Sequence, residues 1–144
     1  MKTWILVASS NQAKIYNTNK TTLFNGNGKK LHLVKELAHS ESRLRDIDLT
    51  SDRQGQFGSG TFQSPTDPKK HQEEVFAIEI VRNLSKSHAE NLFEELIFIA
   101  PAAFMGMINK HMPHELDRVV NLRIEKDYIK CPEQELVEHL QKFL

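Results

Sequence analysis

Apolar positions along the 144-residue chain fall into two kinds of pattern, unbroken runs and spaced repeats. Trp4 to Ala8 is a continuous run of apolar β-formers and predicts a strand buried on both faces. Ser9-Ser10-Asn11-Gln12 has turn composition, and Ala13 to Asn17 then alternates around Ile15. So short a connection predicts a β-hairpin. Thr21 to Phe24 is expected to extend the sheet, and Asn25-Gly26-Asn27-Gly28 to turn the chain. Leu31, Leu33, Lys35 and Leu37 then fall on one face, with His32, Val34 and Glu36 on the other. This is the mark of a less buried strand.

Residues 38–67 hold no sustained period. They are polar, contain Gly55, Gly58 and Gly60, and are punctuated by Pro65, with Pro68 just beyond. A loop of about thirty residues is uncommon in a compact domain and is usually functional or disordered. Asp67-Pro68 has the character of an N-cap followed by proline at the first helical position. Ala77, Ile80, Val81 and Leu84 continue with amphipathic helical spacing, and Asn91 suits a left-handed C-terminal position. Leu96 to Ala100 is a second unbroken run, which fits a central strand. Pro101 opens a helix carrying Phe104, Ile108 and Met112, which Pro113 ends. Val120, Leu122 and Ile124 alternate as a strand, and Pro132 begins a last helix with Leu136, Leu140 and Phe143 on one face. The order predicts a single α/β domain over residues 1–144, a mixed sheet of about five strands with three helices packed on it.

Composition sharpens this. At 39% hydrophobic and 26% charged, the chain is too apolar for disorder and too polar for a membrane protein. No stretch approaches the ~20 apolar residues of a bilayer span, and the N-terminal apolar run is shorter than a secretory signal core. The single Cys131 allows no internal disulfide, as expected in a reducing compartment. A cytoplasmic location is the expectation. The 19 basic and 19 acidic residues cancel, yet residues 1–72 hold 11 basic against 6 acidic and residues 73–144 hold 8 against 13. Neutrality therefore excludes affinity from bulk charge and leaves a local basic surface open.

Several chemical patterns are incomplete. Gly58-Ser59-Gly60 lacks the Gly-Lys-Ser/Thr and helix of a phosphate loop, and no hydrophobic strand precedes it as in a dinucleotide fold. His111 and His114 are three apart but flank Pro113, with no Cys or carboxylate joining them at ligand spacing. They are expected as solvated helix-end histidines, and no metal or cofactor is expected. Cys131 precedes Pro132 at a helix N-terminus, where the dipole would lower its pKa; a semi-buried capping role is the simpler expectation. Glu73-Glu74 and Glu94-Glu95 are expected as solvated positions. There is no Gly-x-Ser-x-Gly elbow and no zincin motif, so no catalytic residue is assigned. The long loop differs from these. Arg43, Arg45, Arg53, Lys69, Lys70 and His71 lie among glycines with the aromatic Phe57, a mixture suited to phosphates and unstacked bases. Asp46, Asp48 and Asp52 oppose part of that field.

These residues together resemble a bacterial family, the proteins required for attachment to host cells. The resemblance runs from Trp4 to Leu140 and rests on Trp4-Ile5-Leu6-Val7-Ala8, Ala13-Lys14-Ile15-Tyr16, Ser51-Asp52-Arg53 with Gly55, and Phe76-Ala77. Ile99-Ala100-Pro101, Gly106, Lys126-Asp127, Glu135-Leu136 and His139-Leu140 complete it. It implies a fold similar to the middle domain of archaeal and eukaryotic release factors and of the rescue protein Pelota. In release factors that domain presents a Gly-Gly-Gln loop ahead of a long helix. The comparable stretch here is Arg53-Gln54-Gly55-Gln56, with Gln54 in place of the first glycine and a longer gap to the helix. The family often has Asp where this chain has Ser9, and Pro-Gly-Arg where it has Gln54-Gly55-Gln56.

The expectation is a non-enzymatic ribosome- or RNA-associated module. Arg43, Arg45, Arg53, Gly55, Gln56, Lys69 and Lys70 form its candidate binding surface. The alternatives are a protein-interaction adaptor that affects host attachment from the cytoplasm, and a peptidyl-tRNA hydrolase-like release or rescue factor. Membrane contact is not expected, and monomer and dimer both remain open.

Overall fold

A computed structural model describes residues 2–24, 30–39 and 68–143. The elements run β1 (Thr3–Ala8), β2 (Gln12–Thr18), α1 (Lys20–Phe24), β3 (His32–Ala38), α2 (Pro68–Ala89), β4 (Glu95–Ile99), α3 (Ala102–Lys110), α4 (His114–Asp117), β5 (Val120–Ile124) and α5 (Glu133–Phe143). The five strands form one mixed sheet in the order β3-β2-β1-β4-β5. β1 and β2 are the expected antiparallel hairpin, and β3 adds antiparallel to β2. β4 pairs parallel with both β1 and β5.

The two unbroken apolar runs take the interior of this sheet for a physical reason. Every residue of β1 is buried, and so are Leu96 to Ile99 of β4. Because side chains alternate across a strand, each run feeds two cores at once. Trp4, Leu6 and Ala8 of β1, with Leu96 and Phe98 of β4, meet Phe76, Ala77, Ile80, Val81 and Leu84 of α2 and Phe104, Met105 and Ile108 of α3. Ile5, Val7, Ile97 and Ile99 point the other way, onto Leu23 of α1 and Leu136 and Leu140 of α5. Helices therefore cover both faces. The outer strand β3 is exposed along most of its length, as its weaker pattern predicts. A bulge sets Ile15 opposite Lys35 but Tyr16 opposite Leu33, leaving Val34 as the extra residue.

Three local expectations are corrected. Residues 21–24 do not extend the sheet; they belong to α1. Asn19 caps that helix, its Oδ1 accepting from the Thr21 N–H at 2.9 Å and its carbonyl from the Leu23 N–H at 2.8 Å. Pro113 does not simply stop a helix but serves as the N-cap position of α4, with its carbonyl accepting from the Asp117 N–H at 2.9 Å. Phe143 does not join Leu136 and Leu140 in the core; it is 46% exposed at the end of α5. The three long helices of the expected fold are thus joined by two short ones.

Asn91 has φ 60°, the left-handed conformation foreseen for it. Its N–H bonds the His88 carbonyl at 2.9 Å, closing α2 before β4 begins. An L-residue with a larger Cβ substituent is strained there, whereas glycine is not. Asn91→Val is expected to cost about 1–2 kcal/mol in urea unfolding, with Asn91→Gly neutral or slightly stabilising. Equal midpoints for the two variants would contradict this turn.

Candidate functional site

The parallel strands place their carboxyl ends on one edge of the sheet, the position at which open α/β sheets form ligand crevices. β3 also ends there, because it is antiparallel to β2 and β2 to β1. A cleft of about 180 Å³ lies at this edge, lined by Ser10, Asn11, His39, Lys69, Gln72 and Glu73. Its size is below the roughly 300 Å³ at which small-molecule pockets begin.

Each lining group has a local cause. Ser10 and Asn11 form the tip of the β1–β2 hairpin, where Ser9 N–H bonds the Gln12 carbonyl at 2.8 Å and Ser9 Oγ lies 3.1 Å from Asn11 Oδ1. His39 follows β3; its N–H bonds the Asn11 carbonyl at 3.0 Å, and its ring meets Phe76 edge-on at 5.7 Å. Lys69 stands in the first turn of α2, which Pro68 begins as its fixed φ allows. Lys69, Lys70 and His71 are all exposed, and that turn contains no acidic residue. Cationic side chains at the positive end of a 22-residue helix oppose its dipole, so this corner favours an anion.

Of the residues expected to form the binding surface, Lys69 lines the cleft, and Lys70 follows it in the first turn of α2. Arg43, Arg45, Arg53, Gly55 and Gln56 lie outside the described residues, as do Phe57, Gly58 and Gly60. The segment that carries them leaves from His39 and returns at Pro68, and its flanks His39 and Lys69 line the same cleft.

A family model described as "Protein required for attachment to host cells" matches residues 4–140. The chain belongs to this host attachment family. No curated protein sequence matches it. Among solved structures, it is similar to an archaeal translation termination factor, aRF1, at 14% identity with a TM-score of 0.42. It is also similar to a chain titled "Archaeal protein", at 12% identity with a TM-score of 0.45. Each overlap covers 99% of this host attachment family chain but only 39% of the other, so the chain spans about two fifths of their length.

The remaining chemical groups fall elsewhere. Glu74 is not simply solvated, since His111 Nε2 lies 3.2 Å from its Oε1. His114 is exposed in α4. Glu94 and Glu95 brace strand ends: Asn121 Nδ2 donates to Glu95 Oε1 at 2.8 Å. Arg123 of β5 is tied to Asp117 of α4, an exposed link between consecutive elements.

Cys131 is half-buried, as the simpler reading of it expects, but its thiol moves opposite to the dipole argument. Burial raises its pKa above 9.0, and the Glu135 and Asp127 carboxylates add to the rise. Burial first, and then the two negative charges, act against the partial positive charge of the helix end. The structure also brings Cys131 together with Glu135 and His139, a grouping the sequence reading missed. Its signal was the spacing of four between successive members, which puts Glu135 and His139 on one face of α5 with Cys131 just ahead of the helix.

Proposed function

We propose that this member of the host attachment family is a non-enzymatic module that binds RNA, at the ribosome, through the basic corner where β1, β3 and α2 meet. The observation that carries the reading is the first turn of α2, where Lys69, Lys70 and His71 are exposed and no acidic residue falls within the turn itself. Helix-end N–H groups and ammonium groups favour the same ligand, a phosphate. The sequence between His39 and Pro68 adds Arg43, Arg45 and Arg53 to the cationic inventory, and Gly55 with Gln56 to the groups available for close backbone contact. The cleft is small and open to charged groups on its rim, which favours backbone contact over catalysis on an enclosed substrate.

The proposed place of action is the cytoplasm, and an effect on host attachment would then be indirect. Among the described residues no helix is long and apolar enough to cross a membrane. Polysome profiling tests the proposal. The protein is expected to sediment with ribosomal particles at low salt and to move to the top of the gradient as salt rises. Confinement to ribosome-free fractions at low and moderate salt would refute it. Retention of a stable protein partner after nuclease treatment, with no ribosomal material, would favour the adaptor reading instead.

A further inference from the structure

The opposite helical layer carries a second chemical grouping, remote in kind from the basic corner. Sγ of Cys131, a carboxylate oxygen of Glu135 and a ring nitrogen of His139 all lie within 4.8 Å of one another. Glu135 Oε1 and His139 Nε2 are 3.7 Å apart. The helix bearing them is firmly seated, because Leu136 and Leu140 on its other side are buried against the sheet. Cys131 stands just ahead of that helix, and its N–H bonds the Tyr128 carbonyl at 3.0 Å. The Tyr128 ring in turn stacks on His139, with centroids 4.3 Å apart and planes at 11°. One turn of chain thus orients two of the three groups.

We propose that Cys131, Glu135 and His139 form a binding site for a zinc-class divalent cation. Thiolate, imidazole and carboxylate are the three side-chain types that zinc accepts, and three protein ligands leave one coordination position for water or another ligand. Bonds of about 2.0–2.3 Å in a tetrahedron set ligand atoms about 3.3–3.7 Å apart. The Glu135–His139 pair already meets this spacing. The remaining separations close by about 1.5 Å at most, within reach of side-chain rotation by an exposed glutamate and a half-buried cysteine. Magnesium and calcium are disfavoured, since they take sets of oxygen ligands and this group offers one carboxylate.

The charge balance points the same way. A divalent ion replaces the thiol proton, which passes to solvent, and relieves the crowding of negative groups.

The test uses the full chain freed of metal by chelation and then titrated with Co²⁺ alone. A thiolate-to-cobalt charge-transfer absorption is expected to saturate at one equivalent and to vanish when Zn²⁺ is added. Cys131→Ser should abolish that absorption, and Glu135→Gln and His139→Ala should each weaken cobalt binding at least about tenfold, the scale of loss seen even for supporting groups. Circular dichroism establishes that each variant is folded. The proposal is overturned if the absorption is absent, or if stoichiometric Zn²⁺ binding, read by competition with a chromophoric chelator, is unchanged in Cys131→Ser.

Discussion

Phe76→Ala should lower the stability of the protein by about 3–5 kcal/mol, the largest single-residue effect expected in this fold. Phe76 is fully buried on α2 and packs between two rings, His39 edge-on and Phe104 stacked at a centroid distance of 6.1 Å. Truncation removes its transfer free energy and leaves a cavity, because the sheet beneath and α3 beside it are fixed by their own packing. For a domain of this size the loss corresponds to about 10–20 °C in Tm. Phe76→Leu, which keeps most of the volume, should cost much less. A loss below about 1 kcal/mol on truncation would show that α2 is not seated on this face. Because His39 touches the same ring, the substitution also loosens the cleft, so weaker RNA association by Phe76→Ala would not separate packing from binding.

Lys70→Glu separates them. Lys70 is exposed in the first turn of a helix whose dipole it opposes, so an acid there is better placed electrostatically than the native lysine. Stability should stay within about 1 kcal/mol of the parent, and any change should be a gain. Binding should move the other way. One phosphate contact at 0.1 M salt is worth about tenfold in affinity, and losing it lowers the salt slope by about 1. Filter binding of ribosomal RNA across a salt series reads both numbers. Equal affinity and equal slope for Lys70→Glu and the parent would remove this turn from the proposed surface.

The interior of the fold was legible because burial on both faces leaves an unmistakable trace. Runs such as Trp4–Ala8 and Leu96–Ala100 admit no polar residue when each successive side chain enters a different core. The helical spacing of Ala77, Ile80, Val81 and Leu84 was legible for the complementary reason, since α2 buries one stripe only. Short elements were not. Thr21 to Phe24 consists of β-formers, and only the capping side chain of Asn19 and the burial of Leu23 against α5 make it a helix. Propensity over four or five residues is too weak to resist such tertiary contacts. Lys69 and Lys70 were recognised as cationic, but their position at a dipole-opposed helix start depends on where the chain re-enters the fold. Cys131, Glu135 and His139 were not legible as a group because Cys131 precedes the helix, and only the turn from Tyr128 brings its thiol beside the other two.

The central position of β1 also has a consequence for how the protein is made. Its hairpin partner β2 is only a turn away, but Thr3 pairs with Glu95 on its other side. A ribosome adding about 5–20 residues per second needs roughly 5–18 s to synthesise the intervening chain. During that interval the nascent hairpin carries an Ile-Leu-Val strand with one hydrogen-bonding edge unpaired. The element that gives the finished protein its two cores is the one with the longest exposure to chaperones and to other nascent chains.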